Sequence, residues 1–552
     1  MLRSLVLALA LLPAASALAD DSPWGIALGA EWSGDYPKFN PLLQEAGVTW
    51  VRYFPEWHSM QPERGKWSFD RADAFVASAK AHKIRIAGGF WYAAPWATTD
   101  GGTRRVPLKD MQDWRDYVKG MVARYGKDVS WWEVWNEFNG SFSEGGTPAI
   151  YAEMVREAYR TAKAVNPEVK VGLSVANFDT GFLDATIKAG AAGHFDYVCV
   201  HPYENLGALA EGGERSYLSM AGTLRQMLVA NGQKENIPLW ITEFGMQSTI
   251  QPDAAADAKQ AELLTKGYVL ALAQGFDKIF WFEARGPAYG KGTDHGIIRQ
   301  DWSKRPAYDA LRTLTKELGA EPKYVGWLDL GGSYAFVVDN HGSYRLVAWA
   351  FDHEAPVRLG RRVHHVDTRP AFFSDLPAEI VATAKANASK PFPWGKDFAK
   401  ADAVTCKLGA TNTNEGIEQK NPDTTAVLND LTSSCRRAKV SEGGEGLYAY
   451  FRVDSSFVPF GTKELEITVV AKRLPSGESS GMNLTYESTS GYKGAGEWWT
   501  IPEGDQWQEH TWKVKDANFA GGWGWNFRTD AAGAKADFLI KEVRVSKPKS
   551  KP

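Results

Sequence analysis

The sequence has few cysteines, and after its first residues it has no apolar run long enough to cross a membrane. Three cysteines in 552 residues exclude a small fold held together by disulfides, because such folds need a dense set of cysteine pairs. No H-E-x-x-H motif and no paired C-x-x-C motif occurs, so nothing predicts a zinc site. We therefore expect neither a metal nor a cofactor.

A strong charge of one sign is also missing. The formal net charge is -3, and phosphate binding requires clustered Lys and Arg, so we expect no nucleic-acid partner. Aromatic side chains are abundant by contrast, with 23 Trp and 20 Tyr. Most of them belong in a core, but flat aromatic faces also stack on sugar rings. The composition is thus compatible with a polysaccharide or oligosaccharide partner.

The N-terminus has the pattern of a secretory signal. Arg3 precedes an apolar run from Leu5 to Leu12, and small residues then lead to an A-x-A site at Ala17 to Ala19. A membrane anchor is the alternative, but this run is shorter than the roughly twenty residues that a bilayer requires. We predict a signal peptide over residues 1–19 and a secreted or periplasmic protein.

The cysteines are interpreted in the light of that compartment. Because oxidising surroundings favour disulfides, we predict a disulfide between Cys406 and Cys435 in the strand-rich C-terminal region. Cys199 lies in an apolar run and is predicted to be an inert buried thiol.

Short β-like runs alternate with helical patterns from Trp24 to about Leu318, which is typical of parallel strands joined by crossover helices. Eight such units predict a closed (β/α)8 barrel, with a doubly wound open sheet as the alternative. No G-x-G-x-x-G follows the first strand, which disfavours a nucleotide-binding version of that sheet. The predicted strands are Trp24–Leu28, Trp50–Phe54, Ile84–Phe90, Ser130–Trp135, Lys170–Ser174, Tyr197–Val200, Leu239–Thr242 and Lys278–Phe282.

Beyond the barrel the apolar pattern changes to the period of two that strands show. A last, tryptophan-rich unit has the alternation of a β-sandwich; it resembles a carbohydrate-binding jelly roll, and a purely structural sandwich is the alternative. The predicted segments are a catalytic barrel over 20–320, a small antiparallel β module over 321–376, a linker or first edge over 377–401, the sandwich over 402–545 and a disordered tail over 546–552.

Two glutamates follow predicted barrel strands. Glu137 comes after the fourth strand and Glu243 after the seventh, and barrel chemistry lies at the C-terminal ends of strands. Glycosidic cleavage needs one carboxylic acid as proton donor and a second carboxylate as nucleophile or base. We therefore predict Glu137 as the acid/base and Glu243 as the nucleophile of a retaining glycoside hydrolase.

The surroundings of the two glutamates indicate which one is the acid/base and which one is the nucleophile. Apolar neighbours such as Trp135 and Phe138 predict a raised pKa for Glu137, as a general acid requires. Glu243 would stay ionised, with Arg52 as the cation and Tyr203 as the phenol that orient it.

The motifs around these residues resemble those of clan A glycoside hydrolases. Trp135-Asn136-Glu137 is similar to the acid/base motif, and Thr242-Glu243-Phe244-Gly245 is similar to the nucleophile motif. With His201-Pro202-Tyr203 in the expected order, the chain is most similar to family 39, and the resemblance covers about residues 24 to 320.

The resemblance implies roles for further residues. Arg52 would hydrogen-bond near the nucleophile, Asn136 would contact the sugar 2-hydroxyl, Tyr203 would position Glu243, and Trp281 would form the floor of the sugar subsite. Trp91 and His201 are additional candidates for substrate contact, although each could instead be a packed residue.

Bacterial family 39 members that act on exopolysaccharide make an endo-acting β-glycosidase the leading expectation. An exo-acting β-xylosidase or arabinosidase and a non-catalytic glycan-binding barrel are the alternatives.

Overall fold

A computed structural model describes residues 22–29, 35–286, 292–394, 396–420, 422–429, 434–473, 475–504, 506–521 and 523–548. The predicted signal peptide and the end of the predicted tail lie outside the described residues. Within them, no helix combines the length and the apolar character that a membrane crossing requires.

The N-terminal unit is a closed barrel of eight parallel strands in sequence order, as predicted. Each observed strand lies within a few residues of its predicted position, because the buried strands stand out as short apolar runs. The strands are β1 (Trp24–Ala27), β2 (Trp50–Arg52), β3 (Arg85–Phe90), β4 (Trp131–Val134), β5 (Lys170–Ala176), β6 (Tyr197–His201), β7 (Leu239–Phe244) and β8 (Lys278–Phe282).

Amphipathic helices surround the barrel and bury their apolar faces against it. Several carry N-terminal caps, such as Asp110, whose side chain accepts a hydrogen bond from Gln112 N, and Asp253, which accepts from Ala255 N and Ala256 N. The larger helices of this layer are Tyr36–Glu45, Asp70–Ala81, Met111–Tyr125, Pro148–Val165, Thr180–Thr186, Tyr203–Ala210, Met220–Ala230, Ala254–Gln274 and Pro306–Leu318.

Aromatic rings fill the lower part of the barrel. Alternate residues of each strand point inward, and the inward set includes Trp50, Tyr197, Trp240 and Phe280. Cys199 lies in the same layer as a free, buried thiol, as predicted, and burial raises its pKa well above the ordinary value. This apolar plug leaves the polar chemistry to the C-terminal ends of the strands.

The next unit is a four-stranded antiparallel sheet of Lys323–Trp327, Ser333–Asn340, Ser343–Ala350 and Ala371–Phe373, beside a hairpin of Ala355–Leu359 and Arg362–Val366. A two-residue hairpin turn joins the second and third of these strands: His341 and Gly342 both have positive φ, which a turn of this hand requires. One face packs on the barrel helices through Phe336 and Trp349.

The segment predicted as a linker over 377–401 is not a plain linker. Its alanine-rich part forms the helix Ala378–Asn387, whose Val381 and Ala384 are buried. A Cβ at Gly326 would lie 1.8 Å from the Ala384 carbonyl oxygen, so glycine permits this close approach. Alanine has the highest helix propensity, and the helix covers the outer face of the small sheet.

The last unit is a two-sheet antiparallel sandwich, as predicted. A seven-stranded and a six-stranded sheet enclose an apolar core that includes Phe451, Ile467, Trp512 and Phe527. The last strand, Phe538–Ser546, runs one residue into the predicted tail.

The prediction of a disulfide between Cys406 and Cys435 is wrong: both residues are buried, and they are not bonded to each other. Both belong to strands that pair with the last strand, but at different points along it. Cys406 lies opposite Val543, whereas the residue after Cys435 lies opposite Ile540. The strands that carry the two cysteines therefore pair with successive segments of the last strand. Cys406 Sγ donates a hydrogen bond to Asn414 Oδ1 at 3.2 Å.

Candidate active site

Glu137 lies three residues beyond the end of β4. Trp135 and Glu137 both have positive φ, of 63° and 51°, a backbone conformation that costs free energy in residues other than glycine and clusters at functional sites. His201 Nδ1 lies 2.9 Å from Glu137 Oε1. The turn and the imidazole together hold this carboxylate at the barrel mouth.

Glu243 lies near the end of β7, with both carboxylate oxygens hydrogen-bonded. Arg52 Nη1 donates to its Oε1 at 2.5 Å, and Tyr203 OH donates to its Oε2 at 2.9 Å. Burial and the neighbouring carboxylates raise the pKa of Tyr203 well above the ordinary value, so the phenol keeps its proton and remains a donor. The two orienting residues predicted from the sequence are thus in place.

The two glutamates face each other across the mouth. One carboxylate oxygen of each, together with a ring nitrogen of His201, lie within 4.8 Å of one another. Retaining glycosidases place their two carboxyl groups about 5 to 5.5 Å apart, whereas inverting enzymes need about 6.5 to 9.5 Å to admit a water molecule. The observed spacing fits direct attack by one carboxylate on the anomeric carbon.

Arg52 is also held by Glu133, a second carboxylate that was not predicted. Its Nε and Nη2 donate to the two oxygens of Glu133 at 2.9 Å each, and Nη2 also donates to Asn136 Oδ1 at 2.8 Å. Glu133 has no exposed surface. The available signal was a charged residue at an inward position of the apolar strand Trp131–Val134, since buried charges are nearly always paired.

Trp91 supports Arg52 from the side. The guanidinium lies 4.8 Å from the Trp91 ring centroid, a cation–π contact. Trp91 is buried and also belongs to the apolar core of the barrel. Asn136 is also buried and accepts from the same guanidinium.

His201 is positioned to act on Glu137, which differs from the predicted contact with sugar. The ring has no exposed surface, and its second nitrogen, Nε2, lies 3.1 Å from Thr242 Oγ1. Both nitrogens are therefore engaged within the protein, which leaves none for a substrate hydroxyl.

The predicted rise in the pKa of Glu137 is wrong. Burial raises this pKa, but the hydrogen bond and Coulomb attraction of His201, together with the attraction of Arg52, outweigh burial and lower it. The apolar neighbours of Glu137 are close to it in the sequence. The imidazole of His201 is not, because it belongs to β6.

The prediction that Trp281 forms the floor of the sugar subsite is also wrong. Residues 280 and 281 point to opposite faces of β8, and Trp281 points outward, where it is fully buried against Phe244. Phe282 is partly exposed and points inward, with its ring centroid 6.4 Å from that of Tyr203. His295 lies beside Phe282, and burial lowers its pKa to about 4, so the ring is neutral at ordinary pH.

Further polar residues lie at the β2 and β3 side of the mouth. Arg104 donates to both oxygens of Glu56, at 3.0 and 3.1 Å, and its guanidinium covers the Tyr92 ring. Burial raises the pKa of Glu56, but hydrogen bonds from His58 and Arg104 outweigh it and lower the pKa, so Glu56 stays ionised. Arg104 was not predicted, because it lies in a loop with no local motif.

Glu137, His201 and Glu243 also have the spacing of a metal-ligand set within the described ranges. However, Arg52 places its positive charge directly against Glu243, where a metal ion would meet electrostatic repulsion. The donor set therefore favours proton transfer and nucleophilic attack.

Comparisons with known proteins agree with this chemistry. Residues 54–184 match the sequence model of Glycosyl hydrolase family 10. An endo-1,4-beta-xylanase A of Fusarium oxysporum is 26% identical over 136 residues, which cover 23% of this chain and 40% of that protein. An endo-1,4-beta-xylanase B of Thermotoga neapolitana is 22% identical over 288 residues, or 48% of this chain and 78% of that protein. The chain thus matches about two fifths of the length of the Fusarium relative.

A solved structure confirms the fold that the resemblance to family 39 implied. A family 39 glycoside hydrolase from the gut symbiont Bacteroides cellulosilyticus WH2 superposes with a TM-score of 0.53 at 18% identity, over 64% of this chain and 81% of that chain. The chain thus folds as a (β/α)8 barrel and contains a segment with the sequence pattern of a glycoside hydrolase family.

Proposed function

We propose that this protein is an endo-acting retaining β-glycosidase that cleaves a polysaccharide by double displacement, with Glu243 as the nucleophile and Glu137 as the acid/base. The observation that carries the proposal is the approach of the two carboxylates to within 4.8 Å, which fits the retaining geometry.

In the first step, a Glu243 oxygen attacks the anomeric carbon while Glu137 gives its proton to the leaving glycosidic oxygen. Arg52 and Tyr203 each bond one Glu243 oxygen, which fixes the carboxylate plane. This preorganisation lowers the entropic cost of reaching the attack geometry.

In the second step, Glu137 takes a proton from water while the water oxygen attacks the anomeric carbon, which breaks the bond to the Glu243 oxygen and restores its carboxylate. The lowered pKa of Glu137 favours the ionised carboxylate that this base step needs. Proton donation in the first step requires the protonated form, so the same shift favours activity at acidic pH.

The choice of substrate rests on the relatives. The Fusarium and Thermotoga proteins are endo-1,4-beta-xylanases by name, so we propose a β-1,4-linked xylan-type backbone as the substrate to test first. Selectivity among sugars depends on hydrogen bonds to individual hydroxyls. The N-terminal sequence pattern supports a further proposal, that the enzyme acts after export from the cytoplasm.

The products of wild-type hydrolysis test this proposal. We expect intermediate oligosaccharides to appear early in chromatograms, and NMR to show the new reducing ends first as the β anomer. Release of single xylose units alone would instead support the exo-acting alternative. An α anomer formed first would refute the retaining mechanism, and an absence of products across a panel of β-glycans would support a non-catalytic barrel.

Glu243→Gln is the matched negative control, because it keeps the size of the side chain and one oxygen that can accept from Arg52 while removing the attacking charge. We expect it to abolish turnover and leave the melting temperature close to that of the wild type.

A further inference from the structure

A loop of the C-terminal sandwich presents an exposed tryptophan. Trp523 is 58% exposed, whereas Trp512 of the same unit is 3% exposed and belongs to the core. An indole with this exposure can offer its flat face to a ligand, and such faces stack on sugar rings.

The loop around Trp523 is fixed by hydrogen bonds. Trp523 N donates to Tyr492 OH at 3.2 Å, and Gly524 N donates to the Gly521 carbonyl at 2.9 Å. Asn526 Nδ2 donates to the buried Glu487 carboxylate at 2.9 Å. The backbone is thus held in place while the indole stays exposed, an arrangement suited to a rigid binding platform.

The same loop lies against the barrel at the ends of β5 and β6. A Cβ at Gly524 would lie 3.6 Å from Glu204 Cβ, and the amide nitrogen of Asn518 lies 3.0 Å from the position of a Cβ at Gly181. Glu204 directly follows Tyr203, whose hydroxyl bonds Glu243. Trp523 therefore directly precedes a residue that packs against Glu204. Glu204 in turn follows Tyr203, which bonds the proposed nucleophile.

We propose that Trp523 stacks on a sugar of the polysaccharide chain, away from the bond that is cleaved, so that the sandwich supplies part of the substrate-binding surface. This inference rests on the proposed function and on the contact of the loop with Glu204, the residue after Tyr203. An indole face matches the C–H-rich face of a pyranose ring, and a sugar bound there would belong to a substrate of several units.

The test measures kcat/KM of Trp523→Ala and of the wild type on a long and on a short substrate. We expect kcat/KM for xylohexaose to fall about tenfold, the loss that corresponds to roughly 1.4 kcal/mol of stacking. The value for a 4-nitrophenyl β-xylobioside should stay unchanged, because that substrate occupies only the subsites near the carboxylates.

Trp498→Ala is the matched control. Trp498 is also exposed, at 38%, but its ring lies against Gly533 of the sandwich itself. It should leave kcat/KM unchanged for both substrates. Equal losses on long and short substrates, no loss for Trp523→Ala, or the same loss for Trp498→Ala would overturn the inference. Wild-type protein that cleaves neither probe would instead refute the proposed function.

Discussion

His201 bonds Glu137 through Nδ1 at 2.9 Å and Thr242 through Nε2 at 3.1 Å. The imidazole thus joins the two carboxylate-bearing strand ends, because Thr242 immediately precedes Glu243. Since its hydrogen bond and charge lower the pKa of Glu137, His201 is a positioning residue that also sets the pH range of the acid/base.

Replacement of His201 by phenylalanine should move the pH profile. Burial, which raises the pKa of Glu137, would then act against Arg52 alone, so the pKa should rise. Because the general acid works in its protonated form, the basic limb of kcat/KM should shift to higher pH. Thr242→Val is the control, since it leaves the Nδ1 contact intact, and its basic limb should stay near that of the wild type. An unmoved limb in His201→Phe would contradict the assignment.

Removal of Arg52 should destabilise the fold as well as the site. In Arg52→Met, the fully buried Glu133 loses both of its guanidinium contacts, and an uncompensated buried charge costs about 3 to 5 kcal/mol. Urea unfolding measures this loss.

The double variant Arg52→Met/Glu133→Leu should recover a large part of the lost stability but none of the activity, because Glu243 would still lack its cation. A single variant as stable as the wild type would contradict a stabilising role for the contact between Arg52 and Glu133.

Two neighbouring aromatic residues should separate stability from catalysis. Trp281→Ala empties a site between β8 and the helix layer and should cost about 3 to 5 kcal/mol in unfolding free energy, with KM unchanged in the folded fraction. Phe282→Ala, at the mouth, should raise KM and change the melting temperature little. The reverse pattern would restore Trp281 as the floor of the sugar subsite.

Glu204 should make the stability of the protein depend on pH. Burial raises its pKa from 4.5 to about 8, so the folded state holds a proton that the unfolded state releases above its own, lower pKa. The contribution of Glu204 to stability is therefore complete below about pH 4.5 and is lost as the pH rises through 8.

Glu204→Gln removes this titration and keeps an oxygen that can accept from Phe178 N. Its melting temperature should fall less than that of the wild type between pH 5 and 8. An equal change in melting temperature with pH for the two proteins across this range would contradict the raised pKa of Glu204.

Local sequence patterns predicted most of the barrel and the identity of its two carboxylates. The strands are buried apolar runs in regular alternation with helices; Glu137 lies three residues beyond the end of β4, and Glu243 lies near the end of β7. Arg52 and Tyr203 lie at strand ends as well, so the barrel topology alone brings them to the same mouth.

The parts that were missed depend on side-chain direction and on contacts between distant segments. Whether residue 281 or residue 282 faces the mouth depends on the register of β8, which a one-residue shift reverses. The pairing of Glu133 with Arg52, the lowered pKa of Glu137 and the separation of the two sandwich cysteines all arise from neighbours on other strands.

The most direct test of the proposed mechanism is to trap its covalent intermediate. A 2-deoxy-2-fluoro-β-xylobioside with a good leaving group should inactivate the enzyme, since the fluorine slows the second step more than an activated leaving group slows the first. Mass spectrometry of the digested protein should then show the added sugar on the peptide that contains Glu243. A label on any other carboxylate, or turnover that yields the inverted product, would contradict the account.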